Sequence, residues 1–215
     1  MKITWLGHAA FLLETDRIRL LTDPYDPTES RIQYQAITIP IDVVTVSHDH
    51  FDHNHVSGLE GTFVTVSRAG VFRFENVTVS GFETFHDPIG GAERGPNLVF
   101  VVEGERLRIC HAGDLGHPLS KEQVDAIGRI DVLLVPVGGN YTVDAQEATK
   151  IVEDVNPRLV IPMHFKTDSL DFPIGKVEAF TDRKKNVRIL RSPSVEITHD
   201  RLPDTTEVWV LSHLL

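Results

Sequence analysis

The stretch DVVTVSHDHFDHNH, residues 42–55, decides how the rest of the chain is interpreted. Its first half, Val43 to Val46, is a continuous run of mostly β-branched residues and predicts a buried strand. Four histidines and two aspartates then fall between His48 and His55, on the loop that would follow this strand. A polar loop with coincident histidines is the alternative. Packing offers no reason for such a concentration, whereas imidazole and carboxylate groups on a loop are typical of a metal site.

The spacing within this stretch suits two metal ions. His48 and His50 alternate and could hold one ion, and the adjacent pair Asp52 and His53 could hold another. These ligand types suit Zn²⁺ and also admit Mn²⁺ or Fe²⁺. Each ion needs at least three protein ligands, so further ligands must come from elsewhere in the chain.

Three more candidates stand where later predicted strands end: His86, Asp114 and His164. Loops at one edge of a sheet converge in space, so these side chains can reach a common site. Each has a plain alternative: a surface histidine, a turn aspartate and a core histidine, respectively. Asp23 closes the strand IRLLTD and could hydrogen-bond a ligand histidine from behind.

The pattern on either side of this stretch predicts an α/β fold. Short apolar runs bounded by turn residues predict strands over residues 3–6, 11–14, 18–21, 62–66, 77–85, 98–102 and 107–111. The second half alternates helices at 121–127, 144–155 and 176–181 with strands at 132–135, 159–161 and 187–190, and two tail strands follow in SVEITH and TEVWVLS. Residues 1–215 are therefore expected to form one domain, a four-layer αββα sandwich of two mixed sheets flanked by helices.

Composition narrows the class of protein. The net charge of −10 disfavours a broad nucleic-acid surface, and the densest basic stretch, residues 183–191, is interpreted as a solvated helix end and loop. The single cysteine, Cys110, excludes an intrachain disulfide and a thiolate cluster, and it is expected in the core. The sequence has neither an apolar run of membrane-spanning length nor a signal-peptide pattern, so a cytoplasmic protein with no membrane partner is expected.

The motif SHDHFDH, with WLGHA, CHAGD, PVGGNYT and IPMHF elsewhere in the chain, resembles the metallo-β-lactamase superfamily. The shorter strings are similar to its branch of small metal-dependent hydrolases that includes the ascorbate-6-phosphate lactonases. The resemblance spans roughly residues 3–165. It implies His48, His50 and His86 for a first metal, Asp52, His53 and His164 for a second, and Asp114 as the bridge.

The chemistry implied by this resemblance is hydrolysis at a binuclear centre. A hydroxide between two divalent ions, Zn²⁺ being the first expectation, would attack an ester, lactone or phosphoester of a small molecule. An aspartate at position 114, where the best-known lactamases often have a cysteine, argues against lactam hydrolysis. Asp52 and His111 are the residues expected to take part in catalysis. A metal-dependent nuclease and an iron-binding, non-hydrolytic metalloprotein are the alternatives.

Candidates for substrate contact are fewer. His8 follows the first strand, and Asn140 and Tyr141 follow a pair of glycines at a later strand end. Lys166, two residues beyond His164, and Arg94 in the Gly/Pro-rich stretch PIGGAERGP could contact an anionic group. That stretch, residues 88–96, is expected to be a mobile loop beside the site. The sequence leaves the oligomeric state open.

Overall fold

A computed structural model describes residues 1–182 and 184–215, and Arg183 of the basic stretch lies outside them. The described residues form fourteen strands and three α-helices. The strands are β1 Lys2–Gly7, β2 Ala10–Glu14, β3 Arg19–Thr22, β4 Val43–Thr45, β5 Val64–Val66, β6 Gly70–Phe74, β7 Val77–Phe85, β8 Pro96–Gly104, β9 Leu107–His111, β10 Val132–Pro136, β11 Leu159–Met163, β12 Val187–Ile189, β13 Ser194–Glu196 and β14 Glu207–Val210. The helices are α1 Lys121–Ile127, α2 Ala145–Val155 and α3 Glu178–Thr181.

The strands form two mixed sheets, as predicted. The first sheet has the order β13-β1-β2-β3-β4-β5 and the second has the order β12-β14-β11-β10-β9-β8-β7-β6. In the first, β1 and β2 form a hairpin, and β3, β4 and β5 run parallel. In the second, β6 to β9 are an antiparallel meander, and β9, β10, β11 and β14 run parallel.

The first sheet buries both of its faces, because its side chains alternate between two apolar clusters. Phe11 and Leu13 of β2 point into the main core between the sheets, while Ala10 and Leu12 point to the opposite face. That outer face is covered by irregular segments of residues 25–41 and 170–174. The α-helices contact one another and the second sheet. Helices thus lie beside the second sheet, as the predicted αββα sandwich requires. Irregular segments, and not helices, cover the outer face of the first sheet.

Local sequence explains the two longer helices. Ser120 and Asp144 each accept a hydrogen bond from the third helical residue, and the side chains of Gln123 and Glu147 return the bond, giving two capping boxes. Asn156, in the left-handed conformation, ends α2. The α3 helix is shorter than predicted, because no side chain caps its start at Val177.

Two other features differ from the predicted pattern. β6 was not predicted, since its residues are half-buried or exposed at the edge of the second sheet. The tail strand β13 ends at Glu196, and a short 3₁₀ turn at His199–Arg201 follows it. Cys110 is buried in β9, as expected. Within residues 1–182 and 184–215, no helix combines the length and hydropathy needed to traverse a bilayer.

Candidate metal centre

The strand directions bring the predicted ligands to one end of the two sheets. In the first sheet β1, β3 and β4 run in the same direction, and in the second β7, β9, β10 and β11 do. The site residues follow directly after these strands. Three of them, His8, Asp23 and His164, have positive φ angles of 51°, 38° and 49°. Left-handed backbone is uncommon for residues other than glycine, and such conformations are often found at functional sites.

His48, His50 and His86 form the first ligand group. Each offers a ring nitrogen, and these atoms lie within 4.8 Å of one another. The His48 ring centroid is 4.5 Å from that of His50 and 4.6 Å from that of His86. The structure therefore assembles the three imidazoles that the resemblance assigned to one metal.

Asp52, His53 and His164 form the second group, and the structure adds His8 to it. The ligand atoms of all four residues lie within 4.8 Å of one another. Nε2 of His8 is 3.2 Å from Oδ2 of Asp52, and the His8 ring lies 4.1 Å from that of His164. His8 is completely buried, so it supports Asp52 from within the protein instead of contacting a substrate.

Asp114 lies between the two groups. Its Oδ1 is 3.2 Å from Nε2 of His53, and its Oδ2 is 3.3 Å from Nε2 of His86 and 3.2 Å from Nε2 of His164. Ligand atoms about 2.0–2.2 Å from a tetrahedral Zn²⁺ are about 3.3–3.6 Å apart, so these separations lie at or just below the lower end of that range.

Several of these buried atoms have no hydrogen-bond partner among the described residues. They include Nε2 of His48, His53 and His164 and Oδ1 of Asp114. An orphaned buried polar atom is costly, and a bound ion removes that cost. Histidine nitrogens and carboxylate oxygens aimed at a common centre are the donors that Zn²⁺, Mn²⁺ and Fe²⁺ accept. The residues present thus fit divalent metal ions.

Asp23 fixes the orientation of two ligands from behind. Its Oδ2 accepts hydrogen bonds from Nδ1 of His53 at 2.8 Å and from Oγ of Ser47 at 2.5 Å, and its Oδ1 accepts from the Ser47 amide at 2.8 Å. Oγ of Ser47 is also 2.9 Å from Nδ1 of His48. With Nδ1 engaged, Nε2 of each histidine is presented to the metal. The support for a ligand histidine predicted for Asp23 is confirmed.

Asn97 supports Asp114 through the backbone. Its Oδ1 accepts the Asp114 amide at 2.9 Å, and its Nδ2 donates to the Ala112 carbonyl at 3.0 Å. Gly113, between them, has a φ of 56°, and a Cβ there would lie 2.4 Å from Oδ1 of Asn97. Only glycine can therefore occupy this position without displacing the turn that carries Asp114.

The charge of the centre favours cations. Burial lowers the pKa of His48 to about 3 and also lowers the pKa of His86, so both are neutral at pH 7, as metal ligands must be. Burial alone would raise the pKa of Asp114, but His164 and His53 lower it well below its usual value. Burial would lower the pKa of His53, but Asp114 and Asp52 raise it well above its usual value.

A cavity of about 270 Å³ opens above the centre. Ten residues line it: Arg31, His50, Phe51, Asp52, His86, Arg94, Asp114, Tyr141, His164 and Phe172. Tyr141 is therefore placed where a substrate contact was predicted. The stretch 88–96 lies beside the cavity as expected. Asp87 holds this stretch in place by accepting hydrogen bonds from four of its backbone amides, those of Ile89, Gly91, Glu93 and Arg94.

Three other predicted site residues lie away from the cavity. Nε2 of His111 is 2.8 Å from the Ala9 carbonyl, and its Nδ1 accepts the Gly113 amide at 3.3 Å. This geometry does not fit the catalytic role expected of His111, and it gives the side chain a role in supporting the turn. Nζ of Lys166 is 3.2 Å from Oδ1 of Asp171, beside a different cavity, and the exposed Asn140 is not part of the cavity lining.

Arg31 and Phe172 line the cavity without having been predicted. They belong to irregular segments that are brought together by a bridge between Ile32 and Leu170. Neither segment has a periodic pattern, so the sequence carried no local signal for this pairing.

A profile described as the Beta-lactamase superfamily domain matches residues 2–164, which include all seven predicted metal ligands. The chain belongs to the β-lactamase superfamily. Among its relatives, a UPF0173 protein of Pyrococcus furiosus is 32% identical over 197 residues, covering 79% of this chain and 85% of the relative. A UPF0173 metal-dependent hydrolase of Carboxydothermus hydrogenoformans is also 32% identical over 197 residues, with 78% and 85% covered.

A solved structure extends this relationship within the β-lactamase superfamily. A Thermotoga maritima protein, described as a candidate Zn-dependent hydrolase of the metallo-β-lactamase superfamily, has a TM-score of 0.82 and 38% identity to this chain, with 99% of both chains covered. These relatives place the chain among the metal-dependent hydrolases of the superfamily. The narrower similarity to ascorbate-6-phosphate lactonases stays a prediction.

Proposed function

We propose that this protein is a hydrolase that holds two divalent metal ions and cleaves an ester, lactone or phosphoester bond of a small molecule. One observation carries the proposal. The Asp114 carboxylate lies 3.2–3.3 Å from ring nitrogens of both ligand groups, with Oδ1 facing His53 and Oδ2 facing His86 and His164. A carboxylate in that position is the shared ligand that a pair of closely spaced ions needs.

His48, His50 and His86 would hold the first ion, and Asp52, His53 and His164 the second, with Asp114 shared. We propose Zn²⁺ as the native ion, which the description of the Thermotoga maritima relative as Zn-dependent supports. The same ligands admit Mn²⁺ and Fe²⁺. When bound, the ions would acidify a water molecule to a pKa of about 7 and polarise a carbonyl or phosphoryl oxygen.

The chain's own residues supply orientation and a proton acceptor. Burial would raise the pKa of Asp52, but His53 and the hydrogen bond from His8 hold it below its usual value. Asp52 is therefore a carboxylate at neutral pH, lines the cavity and can accept a hydrogen bond from the attacking water. Tyr141 and Phe172 line one side of the cavity and would limit the access of bulk water to the bond to be cleaved.

A small-molecule substrate fits this site better than a nucleic acid. The cavity of about 270 Å³ is near the lower end of the range for small-molecule sites. The net charge of −10 would repel a polyanion at long range. We therefore favour the small-molecule hydrolase over the nuclease alternative. An iron protein with redox chemistry would differ in being coloured as purified.

The proposal is tested by assaying metal-loaded protein with 4-nitrophenyl acetate, bis(4-nitrophenyl) phosphate and a simple lactone. We expect hydrolysis of at least one substrate, loss of that activity in chelator, and its recovery when the ion is restored. Asp114→Asn should lose both the activity and one ion. The control is Asp131→Asn, since Asp131 is a similarly buried carboxylate that accepts hydrogen bonds from the Arg108 backbone amide and the Arg129 guanidinium outside the centre. Activity that survives complete metal removal would contradict the proposal.

A further inference from the structure

Two arginines from separate segments line the cavity above the metal centre. The guanidinium carbon of Arg31 lies 5.4 Å from the ring centre of Phe51 and 5.2 Å from that of Phe172. The guanidinium carbon of Arg94 lies 5.7 Å from the ring centre of Tyr141. Tyr141 and Phe172 also contact each other edge to face, with 6.1 Å between their ring centres. The two cations and three aromatic rings thus form one continuous wall.

The backbone around Arg31 is fixed by its partner segment. The Arg31 carbonyl accepts a hydrogen bond from the Asp171 amide at 2.8 Å, and the Gln33 amide donates to the Ser169 carbonyl at 2.8 Å. Ile32, between them, forms the bridge with Leu170 and is buried. This short ladder holds Arg31 beside Phe172.

Hydrogen bonds also fix the backbone around Arg94. The Arg94 amide donates to Oδ2 of Asp87 at 2.8 Å, and the Gly95 carbonyl accepts the His86 amide at 3.0 Å. Burial would raise the pKa of Asp87, but four backbone amides, that of Arg94 among them, lower it to about 2. Asp87 directly follows the ligand His86, so the position of Arg94 is tied to the first ligand group.

Each guanidinium makes a long contact with a carboxylate of its own segment, which leaves other donors of the group available. Nε of Arg31 is 3.4 Å from Glu29, and Nη1 of Arg94 is 3.7 Å from Glu93. Arg19, by contrast, makes two contacts of 3.0 and 2.9 Å with Asp42. A guanidinium held over an aromatic ring keeps the donors in its own plane available, and these match a carboxylate or phosphate.

We propose that Arg31 and Arg94 bind an anionic group of the substrate, a carboxylate or a phosphate, that is not the group being hydrolysed. This inference rests on the proposed function, since the cavity it uses is the one above the metal centre. Among the described residues, the acidic ones in the cavity lining are the two proposed metal ligands, Asp52 and Asp114. The chain as a whole has a net charge of −10, whereas the two arginines make this wall of the cavity locally positive. An anionic substrate requires such a local positive charge. The substrate class is therefore a small anionic ester, lactone or phosphoester.

The test is calorimetric titration of metal-loaded protein with two probes, succinate and inorganic phosphate, at low ionic strength. The variants are Arg31→Gln, Arg94→Gln and the double variant. Arg68→Gln is the matched control, because Arg68 lies 5.3 Å from the ring centre of Phe72 and outside this cavity. Phosphate also binds metal ions directly, but binding to the metal alone does not depend on Arg31 or Arg94 and is not weakened in the variants.

We expect the double variant to bind at least one probe tenfold or more weakly than the wild type, because it loses charge-assisted hydrogen bonds. Arg68→Gln should bind as the wild type does. A preference for succinate would indicate a carboxylate substrate, and a preference for phosphate an organophosphate. A loss smaller than tenfold in the double variant, or a wild type that binds neither probe, overturns the proposal.

Hydrolysis of the 4-nitrophenyl substrates by the wild type separates this inference from the proposed function. Hydrolysis without arginine-dependent anion binding contradicts the anion site alone. Arginine-dependent anion binding without any metal-dependent hydrolysis contradicts the proposed hydrolase alone.

Discussion

Asp23→Asn tests whether the ligands are held from behind as the structure shows. Asp23 is fully buried and accepts hydrogen bonds from His53, from the Ser47 hydroxyl and from the Ser47 amide. Asparagine keeps the shape but replaces one oxygen by an NH₂ donor. If that donor faces Ser47, the Ser47 amide loses its acceptor. If it faces Nδ1 of His53, it favours the tautomer with the proton on Nε2, the atom that must bind the metal.

The size of the effect follows from one lost interaction. A hydrogen bond to a charged group is worth about 1.5–3 kcal/mol. A loss of about 2 kcal/mol at His53 corresponds to roughly a 30-fold weaker second metal, at about 1.4 kcal/mol per factor of ten. This value lies within the 10–100-fold range typical of residues that orient metal ligands. Asp23 reaches His48 only through Ser47, so the first metal should be weakened less.

Metal affinity is measured by titration against a competing chelator, with elemental analysis of each species. We expect Asp23→Asn to retain the first ion under conditions where it loses the second. Asp131→Asn is the control. Asp131 accepts a hydrogen bond from the backbone amide of Arg108, outside the metal centre, so this variant should bind both ions normally. Wild-type affinity for both ions in Asp23→Asn, or earlier loss of the first, would refute this account of the site.

Three further predictions concern the ligands and their surroundings. Asp52→Ala should lose one of two ions and most activity while keeping the fold, and a circular dichroism spectrum of an unfolded chain at room temperature would contradict this. Gly116→Ala should lower the free energy of unfolding in urea by about 1–3 kcal/mol, because its Cβ would lie 2.2 Å from the carbonyl carbon of His86 and 2.3 Å from the amide nitrogen of Asp87. Gly104→Ala, whose nearest contact is 3.3 Å, should cost less. Stripping the metals should lower the free energy of unfolding by about 2.7 kcal/mol for each ion previously present at 100 times its Kd, as measured by thermal unfolding with and without chelator.

The candidate ligand set was predictable because its signal is concentrated in sequence. Four of the seven ligands fall within six residues after one β-branched strand, and the other three each end a recognisable strand. Strand direction then brings them together, as sheet topology dictates. The assignment of Asp23 as a support also came from its place at a strand end.

The misplaced residues show where sequence reasoning lacks information. His111 is three residues from Asp114, yet its ring bonds to the carbonyl of Ala9, in the turn between β1 and β2. Proximity along the chain does not say which face a side chain takes once a strand has ended. Lys166 is two residues from His164, but it turns towards Asp171 instead of the cavity.

The cavity wall depends on contacts between distant segments. Arg31 and Phe172 are adjacent only because residues 31–33 pair with residues 169–171. Both segments cover the outer face of the first sheet without forming a helix or a long strand. Periodicity cannot reveal such a pairing, so Arg31 and Phe172 emerged only from the structure, whereas Arg94 was already a candidate from the sequence.

The central claim, a binuclear centre, is tested most directly by elemental analysis of protein purified without chelator. The account predicts two equivalents of Zn²⁺, Mn²⁺ or Fe²⁺ per chain, falling to about one in Asp52→Ala. Fewer than half an equivalent in the wild type, with no uptake of any of the three ions when they are added back, would contradict it.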